Sequence, residues 1–243
     1  MPRLLRISEV LRNYAATHPM ACIADWVHNY LAKAHPELGR KGPVCPFVPI
    51  SLELDTIWMA EIPHNKPDLH AISDVILRYR DLFLESEPVS GADMLNKAFL
   101  VVFPNLGPEG ASIVDEVQYH LKRHFVEKGM MLGEFHASNQ SPGLRNPDFR
   151  PLRSPIPMLA MRYMVDSDLP FLAREDYPPE LRTAYLRTYL ARLGSDLSPA
   201  KFDEAMNAVI EAEIEKRLRQ GKPLSNWYCS RCQASQEKQG VPA

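Results

Sequence analysis

The chain has 243 residues, of which 45% are hydrophobic and 24% charged, and its formal net charge is -2. That balance belongs to a globular chain with one substantial core, or with a core plus a helical appendage. It offers no basic face to nucleic acid at the whole-chain level, and no apolar run approaches the roughly 20 residues that span a bilayer.

Residues 1–19 mix charged with apolar side chains and lack a continuous apolar stretch, so no signal peptide is read there. Cys22, Cys45, Cys229 and Cys232 are too few for a disulfide framework, which places the chain in a reducing cytoplasm. Over 21–35, Ile23, Trp26, Val27, Tyr30 and Leu31 fall on one helical stripe. A Pro/Gly-rich loop follows over 36–50. Residues 56–62 read as a short buried strand ended by Pro63. Over 68–86, Leu69, Ile72, Val75, Ile76, Tyr79, Leu82 and Phe83 predict an amphipathic helix. The run 98–104 is continuously apolar and predicts a strand buried on both faces. A helix over 109–128 comes next, and then strands over 130–135 and 157–164. The order gives an α/β or α+β fold, with a mixed sheet of about four or more strands covered by helices. The first two strands are expected to pair parallel and the last two antiparallel. Helices over 179–193 and 199–220 form a C-terminal extension, the second opened by Ser198 as N-cap and Pro199. The expected division is a core over 1–175, the helical extension over 176–222 and a loose polar tail over 223–243.

Several residue groups could carry chemistry. Glu134 and His136 flank Phe135 at a strand end, so both point to one face. They could serve as an acid–base pair or as metal ligands, or they could simply anchor the loop that follows. Cys45 lies in the stiff turn Gly42-Pro43-Val44-Cys45-Pro46-Phe47 and could be a thiolate ligand, or a small apolar plug. Between the last two strands runs a long loop holding Arg145, Phe149, Arg150 and Arg153. Loops of that length inside a compact domain are usually functional, and arginine suits bidentate capture of a carboxylate or phosphate. Arg162 sits within an apolar strand and needs a partner, either internal (Glu134, Asp148 or Asp166) or a ligand anion. Glu116, His120 and His124 stack at i, i+4, i+8, yet they flank the buried stripe and read as a solvated surface. Cys229 and Cys232 make half a zinc site at most.

The segments Cys45-Pro46-Phe47, Gly133-Glu134-Phe135-His136 and Phe149-Arg150-Pro151-Leu152-Arg153-Ser154-Pro155-Ile156-Pro157 together resemble a bacterial family of domains of unknown function. Its members are short α/β proteins, often associated with biosynthetic gene clusters. The resemblance covers about residues 36 to 175. The layout is also similar to YqcI/YcgG-like proteins, which are suspected haem binders, and that similarity is what ranks haem above other cofactors. It implies a biosynthetic enzyme that uses bound iron, as haem, on a small anionic metabolite. His136 or Cys45 would then be the axial ligand, with His136 ranked first. Glu134 and His136 would be the catalytic pair. Arg150 and Arg153 would hold haem propionates, and Arg162, Arg145 and Phe149 would hold substrate. The alternative is a non-catalytic protein of a biosynthetic pathway that binds a small molecule or a partner. A homodimer is left open, and neither nucleic acid nor membrane is expected as a partner.

Overall fold

The computed structural model describes residues 3–63, 68–107 and 110–221. The chain divides into two compact units, Met1–Pro170 and Phe171–Ala243.

The first unit is built on a five-stranded mixed sheet in the order β1-β2-β3-β5-β4. Its strands are β1 (Leu5–Arg6), β2 (Ile57–Glu61), β3 (Ala98–Val102), β4 (Met130–Phe135) and β5 (Met158–Tyr163). β2 and β3 pair parallel, from Ile57 opposite Ala98 to Glu61 opposite Val102. Parallel neighbours need a crossover, and α4 (Leu69–Glu85) supplies it. α5 (Gly110–Val126) then carries the chain past a vacant position to the edge strand β4. The long loop brings it back, and β5 fills that position, antiparallel to both neighbours. The expected parallel and antiparallel pairings are both present. β1 was not expected; it pairs antiparallel with β2 and leads into α1 (Ile7–Asn13).

Side-chain alternation splits the core into two layers. Phe99, Val101, Leu132, Leu159 and Met161 pack under α4 and α5, with Ile76, Tyr79, Val114 and Val117. Met59, Leu100, Val102 and Met158 pack on the other face, against α1 and α2 (Pro19–Trp26) and the π-helical turn Val27–Leu31 that prolongs α2. The expected loop over 36–50 holds a 3₁₀ turn at Pro36–Leu38 and the start of α3 (Val48–Glu53). Prolines at the first turns of both explain how a Pro-rich stretch can be helical. The division between the units falls within a short helix, α6 (Leu169–Leu172). The second unit holds the expected helices α7 (Pro179–Leu193) and α8 (Pro199–Arg219), which pack on each other. Cys229, Cys232 and the expected polar tail lie outside the described residues. No helix among the described residues is long and apolar enough to cross a membrane.

One buried charge makes stability depend on pH. Lys97 is fully buried, and its Nζ donates to the carbonyls of Phe83 (2.7 Å) and Ser86 (2.6 Å) while lying over the Phe83 ring. It thereby satisfies carbonyls left open at the C-terminal end of α4. Burial pushes its pKa down to about 8 from 10.5, against an opposing pull from Glu87. Between those values the folded chain holds fewer protons than the unfolded chain, so stability rises with pH. Relative to Lys97→Met, the wild type should gain about 2 kcal/mol between pH 7 and pH 10. Urea midpoints of both proteins at the two pH values check this, and parallel pH profiles would refute it.

Candidate functional site

The site is organised by the edge strand β4 and the helix α5 beside it. Alternation places Met130 and Leu132 under α5, and Glu134 and then His136 follow on the same face. His136 lies one residue past the strand and is 3% exposed. Its Nε2 is 2.9 Å from Asp115 Oδ1 on α5. Its Nδ1 is 3.1 Å from Ser138 Oγ, two residues further along the chain. A carboxylate only accepts, so the network assigns the proton to Nε2 and leaves Nδ1 to accept the Ser138 hydroxyl. The His136 carbonyl receives the amide of Asn139 at 3.1 Å and that of Ser154 at 3.4 Å, which ties the two ends of the loop together. The Asn139 amide group lies 3.5 Å from Nε2 and donates to the Glu134 carbonyl at 3.4 Å. The imidazole is thus held on both nitrogens, and the Ser138 side of the relay is exposed to solvent.

Beyond Ser138 the loop crosses to the opposite face of the sheet. Phe149 is buried and stacks on His35, ring centres 4.7 Å apart. Asn146 donates to the Glu37 carbonyl at 2.8 Å. Gly39 has φ +74°, and a Cβ there would come within 3.0 Å of the Arg145 Cβ, so only glycine lets the strands of loop meet so closely. His35 in turn meets Tyr30, Tyr30 stacks on Trp26, and Trp26 meets Phe135 edge-on. Burial pushes the Tyr30 hydroxyl pKa up, helped by the Glu37 carboxylate and opposed by Arg153. Arg153 therefore lies within electrostatic reach of this aromatic row. Its Nε donates to the Asn139 carbonyl at 3.2 Å, and its exposed guanidinium keeps donors facing solvent.

The arginines of the loop divide by role. Arg145 and Arg153 are exposed at the surface of the loop. Arg150 donates to the carbonyls of Pro147 and Phe149, so it staples the loop itself. Its Nε is buried without a hydrogen-bond partner. Arg162 does not join His136. It pairs with Met131 at the far end of the β4–β5 ladder, whereas Phe135, next to His136, pairs with Met158. The Arg162 guanidinium is bidentate on Asp168, at 2.7 and 2.6 Å, and also donates to the Tyr163 carbonyl. The internal partner is thus Asp168, and not Glu134, Asp148 or Asp166.

The expected iron ligands do not assemble. Both ring nitrogens of His136 are engaged, and its ring lies under α5. Cys45 packs with the α1–α2 layer, on the other face of the sheet. The residues present therefore do not fit a haem held by His136, and the two expected donors do not form a joint metal site. Glu116, His120 and His124 are exposed, as a solvated surface should be, and no group of three or more metal-type ligands occurs among the described residues. Asp115 and Ser138 escaped the reading of the sequence. Asp115 adjoins Glu116 and Ser138 lies two residues past His136, but only the register of α5 on β4 brings Asp115 to His136.

A family model described as a domain of unknown function, DUF6875, matches residues 20–203. The chain belongs to the DUF6875 family. The match extends beyond the expected 36–175 at both ends, taking in α2 and all of α7. Asp115, His136, Ser138 and Arg153 all lie inside the DUF6875 region. No curated protein matches the chain. No solved structure matches it either.

Proposed function

We propose that this DUF6875 protein is an enzyme acting on a small anionic metabolite, with Ser138 Oγ as its reacting atom. The observation that carries the reading is the continuous relay Asp115–His136–Ser138, with its imidazole shielded and its hydroxyl exposed. A serine hydroxyl is a weak nucleophile until an adjacent base takes its proton. Here His136 Nδ1 is placed to take it, and Asp115 stabilises the imidazolium that results. The ring nitrogens are exchanged relative to the familiar serine protease relay, but the roles are the same.

The chemistry that fits is acyl transfer from an ester or thioester. Ser138 Oγ bonds to the acyl carbon as its proton passes to His136 Nδ1. The bond from that carbon to the leaving oxygen or sulfur breaks, and the leaving group takes the proton from Nδ1. Water then attacks the acyl-serine by the reverse use of the same base. Arg153, whose Nε donates to the carbonyl of Asn139 next to Ser138, is suited to hold a carboxylate or phosphate of the substrate. The reading needs no iron. A second reading, non-catalytic binding of a planar molecule, is favoured by the row Phe135, Trp26, Tyr30, His35 and Phe149.

The test is a panel of small esters and thioesters with anionic and neutral acyl groups. Turnover should vanish in Ser138→Ala, and Arg153→Ala should raise KM for the anionic members by about tenfold or more. A wild type that turns over none of the panel would remove the acyl-transfer reading and leave the binding one.

A further inference from the structure

We propose that α8 is a self-association surface, which pairs antiparallel with α8 of a second copy about an axis through Ile210. Phe202, Met206, Ile210, Ile214 and Leu218 are between 38% and 56% exposed. They recur every four residues and form one continuous ridge of the helix. Ala205 and Ala212, on the opposite side of α8, are fully buried, and α8 packs on α7. Phe202 begins the ridge beside Gly194 at the end of α7, and from Met206 onward the ridge turns away from the hairpin. An apolar ridge this long on an otherwise charged helix marks an interaction site.

The charges choose the occupant and its direction. Asp203 and Arg217 each lie seven residues from Ile210, so the three share a side of the helix. Both charged residues are exposed. Asp203 has no bonded partner among the described residues, and Arg217 has a solvent-exposed contact with Glu213 at 3.6 Å. In an antiparallel pair centred on Ile210, Asp203 of each copy faces Arg217 of the other, twice over. Phe202 then lies opposite Leu218, and Met206 opposite Ile214. A parallel pair would instead set Asp203 against Asp203 and Arg217 against Arg217. The ridge is thus self-complementary in shape order and in charge only for an isologous two-fold contact. Positions seven residues apart stay in register at a shallow crossing of about 20°, so Met206, Ile210 and Ile214 form the centre of the contact and both Asp203–Arg217 pairs stay within reach.

The experiment is sedimentation equilibrium on the full chain at micromolar concentrations, with circular dichroism as a folding control. The wild type should be dimeric. Ile210→Glu apposes two carboxylates at the axis and should weaken association by about a hundredfold or more. Asp203→Arg and Arg217→Asp should each weaken it, and the double variant should restore it, because the pairing is rebuilt with its signs exchanged. A monomeric wild type overturns the proposal, and so does a dimer indifferent to Ile210→Glu. So would a wild type that dimerises only after residues 222–243 are removed, since the tail would then be what covers the ridge.

Discussion

Asp168→Ala should be among the most damaging single substitutions in the first unit, lowering stability by about 3 kcal/mol. Asp168 is fully buried, and it receives both arms of Arg162 as well as the Val165 amide at 2.8 Å. Its removal leaves a guanidinium inside the α1–α2 layer, over the Phe47 ring, without a counter-charge. A stranded buried charge costs roughly 3–5 kcal/mol. The lower figure applies because the Arg162 side chain keeps 28% of its exposure. The double variant Arg162→Met, Asp168→Leu should recover most of the loss, since removing both charges leaves neither stranded. Urea unfolding of the three proteins at equal slope decides the matter. A loss under about 1 kcal/mol in Asp168→Ala would mean that the pair is solvated and holds nothing.

The second large effect concerns rate. His136→Ala should reduce kcat/KM on any ester turned over by about a hundredfold to ten-thousandfold, the span typical of a lost general base. Asp115→Asn should fall in the same range with less disturbance of the fold, because the amide keeps the volume but can no longer hold the imidazolium. The two losses should not add, since both act through one proton transfer. Thermal melts of each variant separate this outcome from unfolding. If Asp115→Asn retained full activity, the carboxylate would be a surface neighbour of His136 and nothing more.

Much of the fold was legible because periodicity reports burial. β4 follows the apolar run over 130–135 residue for residue, and α7 covers the helix expected over 179–193. β1 was invisible because two residues, Leu5 and Arg6, carry no period at all. α3 was masked by prolines, which mark loops in general but are welcome in a helix's first turn. At the site, alternation puts Glu134 and His136 on one face, and His136 meets α5 there. What sits above that face depends on how α5 lies across β4, a tertiary choice that leaves no mark in spacing. Asp115 is half-exposed, and nothing in its spacing separates it from the surface acid Glu116 beside it. Arg162 was recognised as needing a partner, but that partner lay in the turn after β5, where Asp168 also takes the Val165 amide. Two acids of that neighbourhood, Asp166 and Asp168, are equivalent in composition, and only the 3₁₀ turn Asp166–Asp168 selects the second.

Labelling with a serine-directed fluorophosphonate, followed by peptide mass spectrometry, tests the relay most directly. The reagent needs no knowledge of the natural substrate, and it reacts with a hydroxyl only when a base removes the proton. The wild type should carry one adduct, on Ser138, and Asp115→Asn and His136→Ala should label at least a hundredfold more slowly. An unlabelled wild type, or an adduct on any other residue, would contradict the assignment of Ser138 as the reacting group.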